Sequence, residues 1–257
     1  MKIEIIKCLK DNFSYLIIDE QNNSACVIDP SEASPIIDYV EKFKLNLKFI
    51  LNTHHHFDHI GGLESLKPLI KGSVIGPKNN AIGLLDKHVG EGDIIKSIGL
   101  EFSIFEVPGH TLDHIAFYSE TEKEVLFCGD TIFSGGCGRV FEGTFEQMNH
   151  SLEKLKSLPS RTEIYCAHEY TLSNLQFALM AEPDNVDLKE YELNSKNKRE
   201  KNIPTIPTTL GQELQINPFL RVEEISLREA ISDKLDNSNQ VSNAEVFGFL
   251  RSWKDSL

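Results

Sequence analysis

The segment "LNTHHHFDHIGG" (residues 51–62) crowds four histidines and one aspartate into six consecutive positions. A packed core could not easily satisfy so many imidazole nitrogens, and an ordinary surface has no use for them. His54 and His56 stand two residues apart, so on extended backbone they face the same way and can bind one ion. Asp58 and His59 follow as the chain turns, and they can point to a second place. The segment therefore predicts one part of a metal site.

The ends of the predicted strands supply further candidate ligands. The apolar strand "LKFILNT" (residues 47–53) runs into the histidine segment, and the later strands "EVLFCGD" and "TEIYCAH" also finish in polar groups. Side chains at the ends of neighbouring strands cluster along one rim of a sheet. The potential ligands found at or just after strand ends are Asp29, His54, His110, Asp130 and His168.

The histidine segment and these strand ends together suggest two metal ions. The seven candidate ligands are His54, His56, Asp58, His59, His110, Asp130 and His168. A single catalytic zinc uses three protein ligands and leaves a fourth position for water. Seven ligands suit two ions roughly 3.5–4 Å apart, with one carboxylate bridging them. Imidazole with carboxylate fits Zn²⁺, Fe²⁺ or Mn²⁺, and we expect two divalent ions, with zinc as the first choice.

Composition narrows the class of protein. The 257 residues allow one large domain, or one domain with a smaller partner. The formal charge of −13 argues against nucleic-acid binding, which needs a basic surface. The chain shows neither an apolar run long enough for a membrane span nor the features of a signal peptide. We therefore expect a cytoplasmic monomer with no membrane partner. Its five cysteines form no CxxC pair and predict reduced thiols in packed or loop positions.

The chain divides into an α/β part and a helical part. Strand patterns dominate up to about residue 170, and helical patterns follow, so we expect one domain over residues 1–170 and another over 171–257. Thr144 with Gln147, and Ser242 with Glu245, have the spacing of capping boxes that begin helices. The last helix should bury an apolar face, which consists of Val246, Phe249, Leu250 and Trp253.

The metal motifs resemble those of the metallo-β-lactamase superfamily. The matching stretches are "THHHFDH", "GH" at 109–110, "GD" at 129–130 and "AHEYT" at 167–171. The resemblance implies an αββα sandwich with a dinuclear site. It assigns one metal to His54, His56 and His110, the other to Asp58, His59 and His168, and the bridging position to Asp130. It also implies that Asp29 in "VIDP" supports a ligand, although an aspartate before proline can simply begin a turn.

Other stretches resemble the hydroxyacylglutathione hydrolase (glyoxalase II) family. The resemblance implies that Arg139 in "GGCGRVFEGT", Tyr170 in "AHEYT", and Arg251 with Lys254 in "RSWKDSL" bind glutathione. Each has a simpler explanation: a solvated turn arginine, a packed aromatic ring, and positive charge at a helix C-terminus. The sequence departs from the family at Phe141, where some members have a tyrosine that touches glutathione. Phenylalanine cannot donate that hydrogen bond.

The resemblance implies a thioesterase that hydrolyses S-D-lactoylglutathione to glutathione and D-lactate, the second step of methylglyoxal detoxification. The ions would generate the attacking hydroxide as a bridge between them, with Asp58 and Asp130 as catalytic ligands. Three alternatives remain open from the residues. A persulfide dioxygenase needs only one iron, and the full second ligand set argues against it. A nuclease is disfavoured by the acidic charge, and a non-catalytic binding module by the complete ligand set.

Overall fold

The structure, a computed structural model, describes residues 1–79 and 81–257. The chain folds into two compact units, of which the first consists of Met1–Glu106 and Asp113–Gly129. Among the described residues, no helix combines the length and apolar character that crossing a membrane would require. The domain boundary near residue 171 remains a prediction.

The described residues of the first unit form a six-stranded mixed sheet. Its strands, in spatial order, are β1 (Lys2–Cys8), β2 (Asn12–Asp19), β3 (Ser24–Ile28), β4 (Asn46–Leu51), β5 (Val74–Pro77) and β6 (Lys87–Val89). Strands β1 to β3 are antiparallel neighbours, whereas β3 to β6 are parallel. A parallel connection needs a crossover, and α1 (Ser34–Lys42) provides it between β3 and β4.

Antiparallel strands form a second layer in the same unit. In spatial order they are β10 (Val125–Gly129), β9 (Ile115–Ser119), β8 (Leu100–Glu106) and β7 (Ile94–Ser97). Strand β2 is buried on both faces because its Tyr15 meets Phe127 of β10 at 5.5 Å between ring centroids, while its Leu16 packs in a cluster with Ile36 of α1. Within the first unit, helix α1 therefore packs on the first sheet, and the first sheet packs on the second. Two short helices, α2 (Phe57–Ile60) and α3 (Leu63–Leu66), precede a 3-10 turn at Lys67–Leu69.

The second unit comprises Val107–Leu112 and Asp130–Leu257. Its short strands are β11 (Ile132–Phe133), β12 (Gly136–Cys137), β13 (Glu163–Cys166) and β14 (Thr208–Thr209). Its helices are α4 (Phe145–Lys156), α5 (Thr171–Ala181), α6 (Val186–Glu200), α7 (Leu210–Ile216), α8 (Ile225–Ala230) and α9 (Asn243–Asp255), with a 3-10 turn at Pro218–Leu220. Strand β14 pairs with β13 and was not predicted, because two residues are too short to show a period.

Two of these helices begin at the capping residues that the sequence predicts. Both capping boxes form, that of Thr144 with Gln147 at α4 and that of Ser242 with Glu245 at α9. The predicted apolar face of α9 is only partly right. Val246 and Leu250 are buried, and the fully buried Phe247 was missed.

The remaining members of that predicted face, Phe249 and Trp253, are only half-buried. Arg251 is not a member of the predicted apolar face, but it is only 4% exposed. Its guanidinium lies 5.2 Å from the Phe219 ring centroid, so it belongs to the buried side of the helix. The predicted cysteine environment is confirmed: all five cysteines are described and buried, and none of them forms a disulfide.

Candidate metal centre and substrate-binding residues

The histidine segment lies in the first unit, where β4 gives way to α2. His56 precedes the helix in extended conformation (ψ 142°), and Asp58 and His59 lie within the helix. The chain therefore changes from extended to helical at His56, where the sequence predicted a turn. The ring centroid of His54 lies 4.8 Å from that of His56 and 4.0 Å from that of His59. Three of the predicted ligands are thus brought together within this unit.

Asp29 organises this cluster from the end of β3. Its φ of +48° is in the left-handed region, which an aspartate adopts more readily than most residues. One carboxylate oxygen accepts from the Thr53 backbone N–H at 2.8 Å, and the other accepts from the Thr53 hydroxyl at 2.7 Å. The second oxygen also lies 2.9 Å from His59 Nδ1. Because both oxygens are engaged by protein donors, this geometry favours a supporting role for Asp29 over direct metal binding.

These hydrogen bonds fix the tautomers of two histidines. The Asp29 carboxylate only accepts, so His59 donates from Nδ1 and keeps its lone pair on Nε2. The Thr53 hydroxyl gives its one proton to Asp29, so it must accept from His54 Nδ1, which lies 3.0 Å away. His54 therefore also carries its lone pair on Nε2. Histidines that bind metals are held in this way, with the second nitrogen donating to a protein acceptor.

The other polar residues of the segment have distinct partners. Asn12 donates to Oδ2 of Asp58 at 3.0 Å and to the Asp58 backbone carbonyl at 3.1 Å. His55 instead pairs with Asp113, with Nδ1 2.9 Å from the carboxylate. His114 stacks on His54 at 4.5 Å between ring centroids. The segment thus contains one histidine, His55, with a separate carboxylate partner.

The second unit contains His110, Asp130 and His168. The Asp130 carboxylate reaches both rings: Oδ2 lies 3.3 Å from His110 Nε2, and Oδ1 lies 3.4 Å from His168 Nε2. A carboxylate with one oxygen toward each of two imidazoles has the arrangement of a bridging ligand. His110 donates from Nδ1 to the Arg139 carbonyl at 2.7 Å, which leaves its lone pair on Nε2.

Gly138 lets the backbone pass close to the Asp130 carbonyl and the His110 ring. A Cβ there would lie 2.0 Å from the Asp130 carbonyl oxygen and 3.2 Å from His110 Nδ1. No side chain can occupy that space without moving the backbone. The glycine-rich stretch around Arg139 therefore brings the chain close to two of the predicted metal ligands.

Three of the predicted substrate-binding residues form a basic cluster in the same unit. Arg139 Nε lies 3.1 Å and Arg251 Nη2 lies 2.8 Å from one oxygen of Asp255. Lys254 donates to the side-chain oxygen of Asn174. Two of the three cations thus contact one carboxylate, and the cluster is a local positive charge in a chain whose formal charge is −13. Such a cluster can attract an anion against the field of the whole protein.

Within this cluster, burial shifts the pKa of Lys254. Loss of hydration, with Arg251 nearby, lowers the pKa of the Lys254 ammonium to about 8. Its Nζ lies 5.9 Å from the ring centroids of both Phe177 and Phe219.

Tyr170, the fourth predicted substrate-binding residue, stacks on His168 at 4.6 Å between ring centroids, with nearly parallel rings. It therefore lies beside a predicted metal ligand.

Sequence reasoning missed the residues that orient the others. These partners are Asn12, Thr53, Asp113, Asn174 and Asp255. Two had a local signal: Thr53 directly precedes the histidines, and Asp255 follows Arg251 by four residues, which is helical ion-pair spacing. The others come from distant parts of the sequence and had no such signal.

Comparisons with known proteins agree with the fold and the family. Residues 10–168 match the family model described as metallo-beta-lactamase superfamily, and residues 169–257 match the one described as hydroxyacylglutathione hydrolase C-terminus. Among solved structures, BLEG-1, a B3 metallo-beta-lactamase, has a TM-score of 0.65 at 22% identity, covering 85% of this chain and 99% of its own. ETHE1 from Myxococcus xanthus has a TM-score of 0.65 at 21% identity, covering 100% and 99%. The predicted αββα metallo-β-lactamase fold with a helical C-terminal part is confirmed.

Curated relatives extend the likeness over the whole chain. A hydroxyacylglutathione hydrolase of Pelagibacter ubique is 52% identical over 223 residues, which are 86% of this chain and 93% of that protein. One from Pseudomonas aeruginosa is 44% identical over 258 residues and covers both chains completely. One from Aliivibrio salmonicida is 47% identical and covers 99% of each. The chain therefore belongs to the hydroxyacylglutathione hydrolase family of the metallo-beta-lactamase superfamily.

Proposed function

We propose that this chain is a metal-dependent thioesterase that hydrolyses S-D-lactoylglutathione to glutathione and D-lactate. The observation that carries the proposal is the combination of two matched regions in one chain. The metallo-beta-lactamase region, 10–168, contains the histidine and aspartate groups, and the C-terminal region, 169–257, contributes Arg251 and Lys254 to the basic cluster. Relatives that align with both regions are named hydroxyacylglutathione hydrolase.

The donor groups fit divalent metal ions. We propose that His54, His56 and His110 hold one ion, that Asp58, His59 and His168 hold the other, and that Asp130 bridges them. Support comes from each unit separately: Nε2 is the lone-pair nitrogen of His54 and His59 in the first, and of His110 in the second. Two divalent cations, when bound, supply hydroxide near neutral pH and stabilise the oxyanion that develops on an acyl carbon. Zinc is our first choice for both positions, and iron or manganese also suits these ligands.

The chain's own residues have separate tasks in this proposal. Asp58, whose Oδ2 accepts a hydrogen bond from Asn12, would orient the attacking water and accept its proton. Arg139, Tyr170, Arg251 and Lys254 bind the glutathione portion. These contacts are made equally in the ground and transition states, so they lower KM more than they raise kcat. We further propose a catalytic domain over 1–170, a substrate-binding domain over 171–257, and a cytoplasmic location.

Loss of the ultraviolet thioester absorbance of S-D-lactoylglutathione tests this function. Zinc-loaded protein should remove the absorbance rapidly, and a sample treated with chelator should not. Restoring zinc to the chelated sample should restore the rate. If zinc-loaded protein leaves the substrate intact, the thioesterase assignment is wrong. Oxygen consumption with glutathione persulfide by iron-loaded protein would then favour the persulfide dioxygenase alternative.

A further inference from the structure

A short loop connects two of the proposed functional groups in the second unit. It runs through residues 133–137, here called the anchored loop, with Asp130 just before it and Arg139 just after it. Gly135 turns the loop at a φ of +69°, in the left-handed region that glycine adopts freely. Any displacement of this loop would move the proposed bridging carboxylate or the Arg139 guanidinium.

Asn217 binds the loop from the segment that follows α7. Its side-chain nitrogen donates to the Phe133 carbonyl at 3.1 Å and to the Gly136 carbonyl at 2.8 Å. Asn217 is fully buried, and so are both ends of these contacts. One side chain thus ties together the two strands of the β11–β12 hairpin.

Glu213 binds the turn of the same loop. Its Oε2 accepts from the Gly135 backbone N–H at 2.8 Å and from Asn217 Nδ2 at 3.0 Å, and its Oε1 accepts from the Thr208 hydroxyl at 2.8 Å. Glu213 is 0% exposed. A buried carboxyl group is costly unless its hydrogen bonds are made, so its place under this turn points to a task beyond packing.

Two further side chains complete the anchoring. Asn174 donates to the Ser134 carbonyl at 3.1 Å, and Arg251 donates to the Cys137 carbonyl at 3.0 Å. Each of the five loop residues therefore has a backbone group held by a side chain from the region beyond residue 170. Asn174 also accepts from Lys254, so the anchors and the proposed substrate-binding residues share hydrogen bonds.

We propose that Glu213 and Asn217 are positioning residues for the reaction. They hold the anchored loop so that the Arg139 guanidinium meets the substrate and the Arg139 carbonyl keeps His110 in the tautomer and orientation that metal binding needs. The proposal rests on the proposed function and deepens it. It predicts that loosening the loop weakens both substrate binding and metal retention, although neither residue contacts either ligand.

Asn217→Ala tests the proposal, with Asn185→Ala as its matched control. Both asparagines cap a helix, since Asn217 accepts from Phe219 N–H at 3.1 Å and Asn185 from Leu188 N–H at 3.0 Å. Asn185 also donates to a carbonyl at the end of α7, that of Gln215, at 2.9 Å but makes no contact with the anchored loop. Asn217→Ala should lower the melting temperature more than Asn185→Ala, because it leaves two buried carbonyl groups without their donor, so both variants are assayed at a temperature at which each stays folded. Only Asn217→Ala should raise KM, by roughly tenfold, and release metal to a chelator roughly tenfold faster.

Glu213→Gln provides the conservative variant. The amide oxygen can accept from Gly135 N–H while the amide nitrogen donates to Thr208, so KM should stay within about threefold of the native value, whereas Glu213→Ala should behave like Asn217→Ala. Equal KM and equal metal release in Asn217→Ala and Asn185→Ala would overturn the proposal. If the native protein does not hydrolyse the thioester, the proposed function fails instead. The metal-release comparison still decides whether the anchored loop matters.

Discussion

The histidine segment of the first unit and helix α9 of the second both present polar groups for function, but they hold them differently. In the histidine segment, Asp29 and Thr53 lock the rings of His54 and His59 through buried hydrogen bonds. In α9, burial lowers the pKa of the Lys254 ammonium to about 8. The Arg251 guanidinium donates to the Cys137 carbonyl and to the Asp255 carboxylate. The first arrangement is set before any ligand arrives, whereas an anion can compete for the second. Changes in the first should mainly lower kcat, and changes in the second should mainly raise KM.

The largest effect should come from Asp130→Asn. The amide keeps the shape but loses the negative charge and one acceptor oxygen, so it cannot serve two cations as the carboxylate does. We expect kcat/KM to fall by about 10²–10⁴-fold and the protein to retain fewer than two ions. Metal analysis after gel filtration, together with the thioester assay, measures both. Full metal content with native turnover would contradict the bridging role.

Asp29→Asn should have the next largest effect. The amide cannot accept from Thr53 and His59 at both positions, so the His59 tautomer is no longer fixed. Metal affinity or activity should fall by about 10–100-fold. Asp113→Asn is the matched control, because it alters a carboxylate–histidine pair whose histidine, His55, lies outside the proposed ligand set. If both variants lose metal equally, the tautomer explanation is wrong.

The pH dependence of KM tests whether the charge of Lys254 in α9 contributes to substrate binding. The Lys254 pKa of about 8 lies below the ordinary lysine value of 10.5, so in the free protein the ammonium loses its proton as pH rises through about 8. KM should therefore rise between pH 7 and pH 9.5. Over the same window the unfolded state binds more protons, so the contribution of Lys254 to stability improves as pH rises.

Lys254→Arg separates this effect from other titrations, since a guanidinium keeps its charge throughout the range. The variant should show a flatter KM profile above pH 8. Initial rates at several substrate concentrations and pH values provide the measurement. An unchanged rise in the arginine variant would assign the pH dependence to another group.

Phe141→Tyr should have the smallest effect. Phe141 is 60% exposed and lies beside Arg139 and His110, with its ring centroid 5.3 Å from that of His110. A hydroxyl there would add the contact that some family members have. One net hydrogen bond is worth about 1 kcal/mol, so KM should fall about fivefold with kcat unchanged. A KM that stays constant would show that the glutathione portion does not reach this position.

The sequence predicts local features well because their causes are local. The capping boxes at Thr144 and Ser242 depend on residues three positions apart, and both form as predicted. The sequence also predicts that the chain turns after the histidines, and a short helix begins there. The sandwich fold was predicted through family resemblance and is confirmed, whereas the supporting role of Asp29 and the metal ligand set remain predictions.

Other features depend on contacts that the sequence does not display. From the sequence, Arg251 could be explained as positive charge at a helix C-terminus, but its guanidinium lies against the buried Phe219 ring and donates to the Cys137 carbonyl. Glu213 gave no signal, because its partner Gly135 lies 78 residues away. Burial of a charged group depends on such distant partners, and a single sequence shows no sign of them.

The separate roles proposed for the histidine segment and helix α9 are tested most directly by comparing kcat and KM of Asp58→Ala and Arg251→Ala in one thioester assay. We expect Asp58→Ala to lower kcat by about 10²–10⁴-fold. Arg251→Ala should mainly raise KM, by about ten- to a hundredfold, because it removes charge-assisted hydrogen bonds from the substrate-binding side. An equal loss of kcat in both variants would contradict the account.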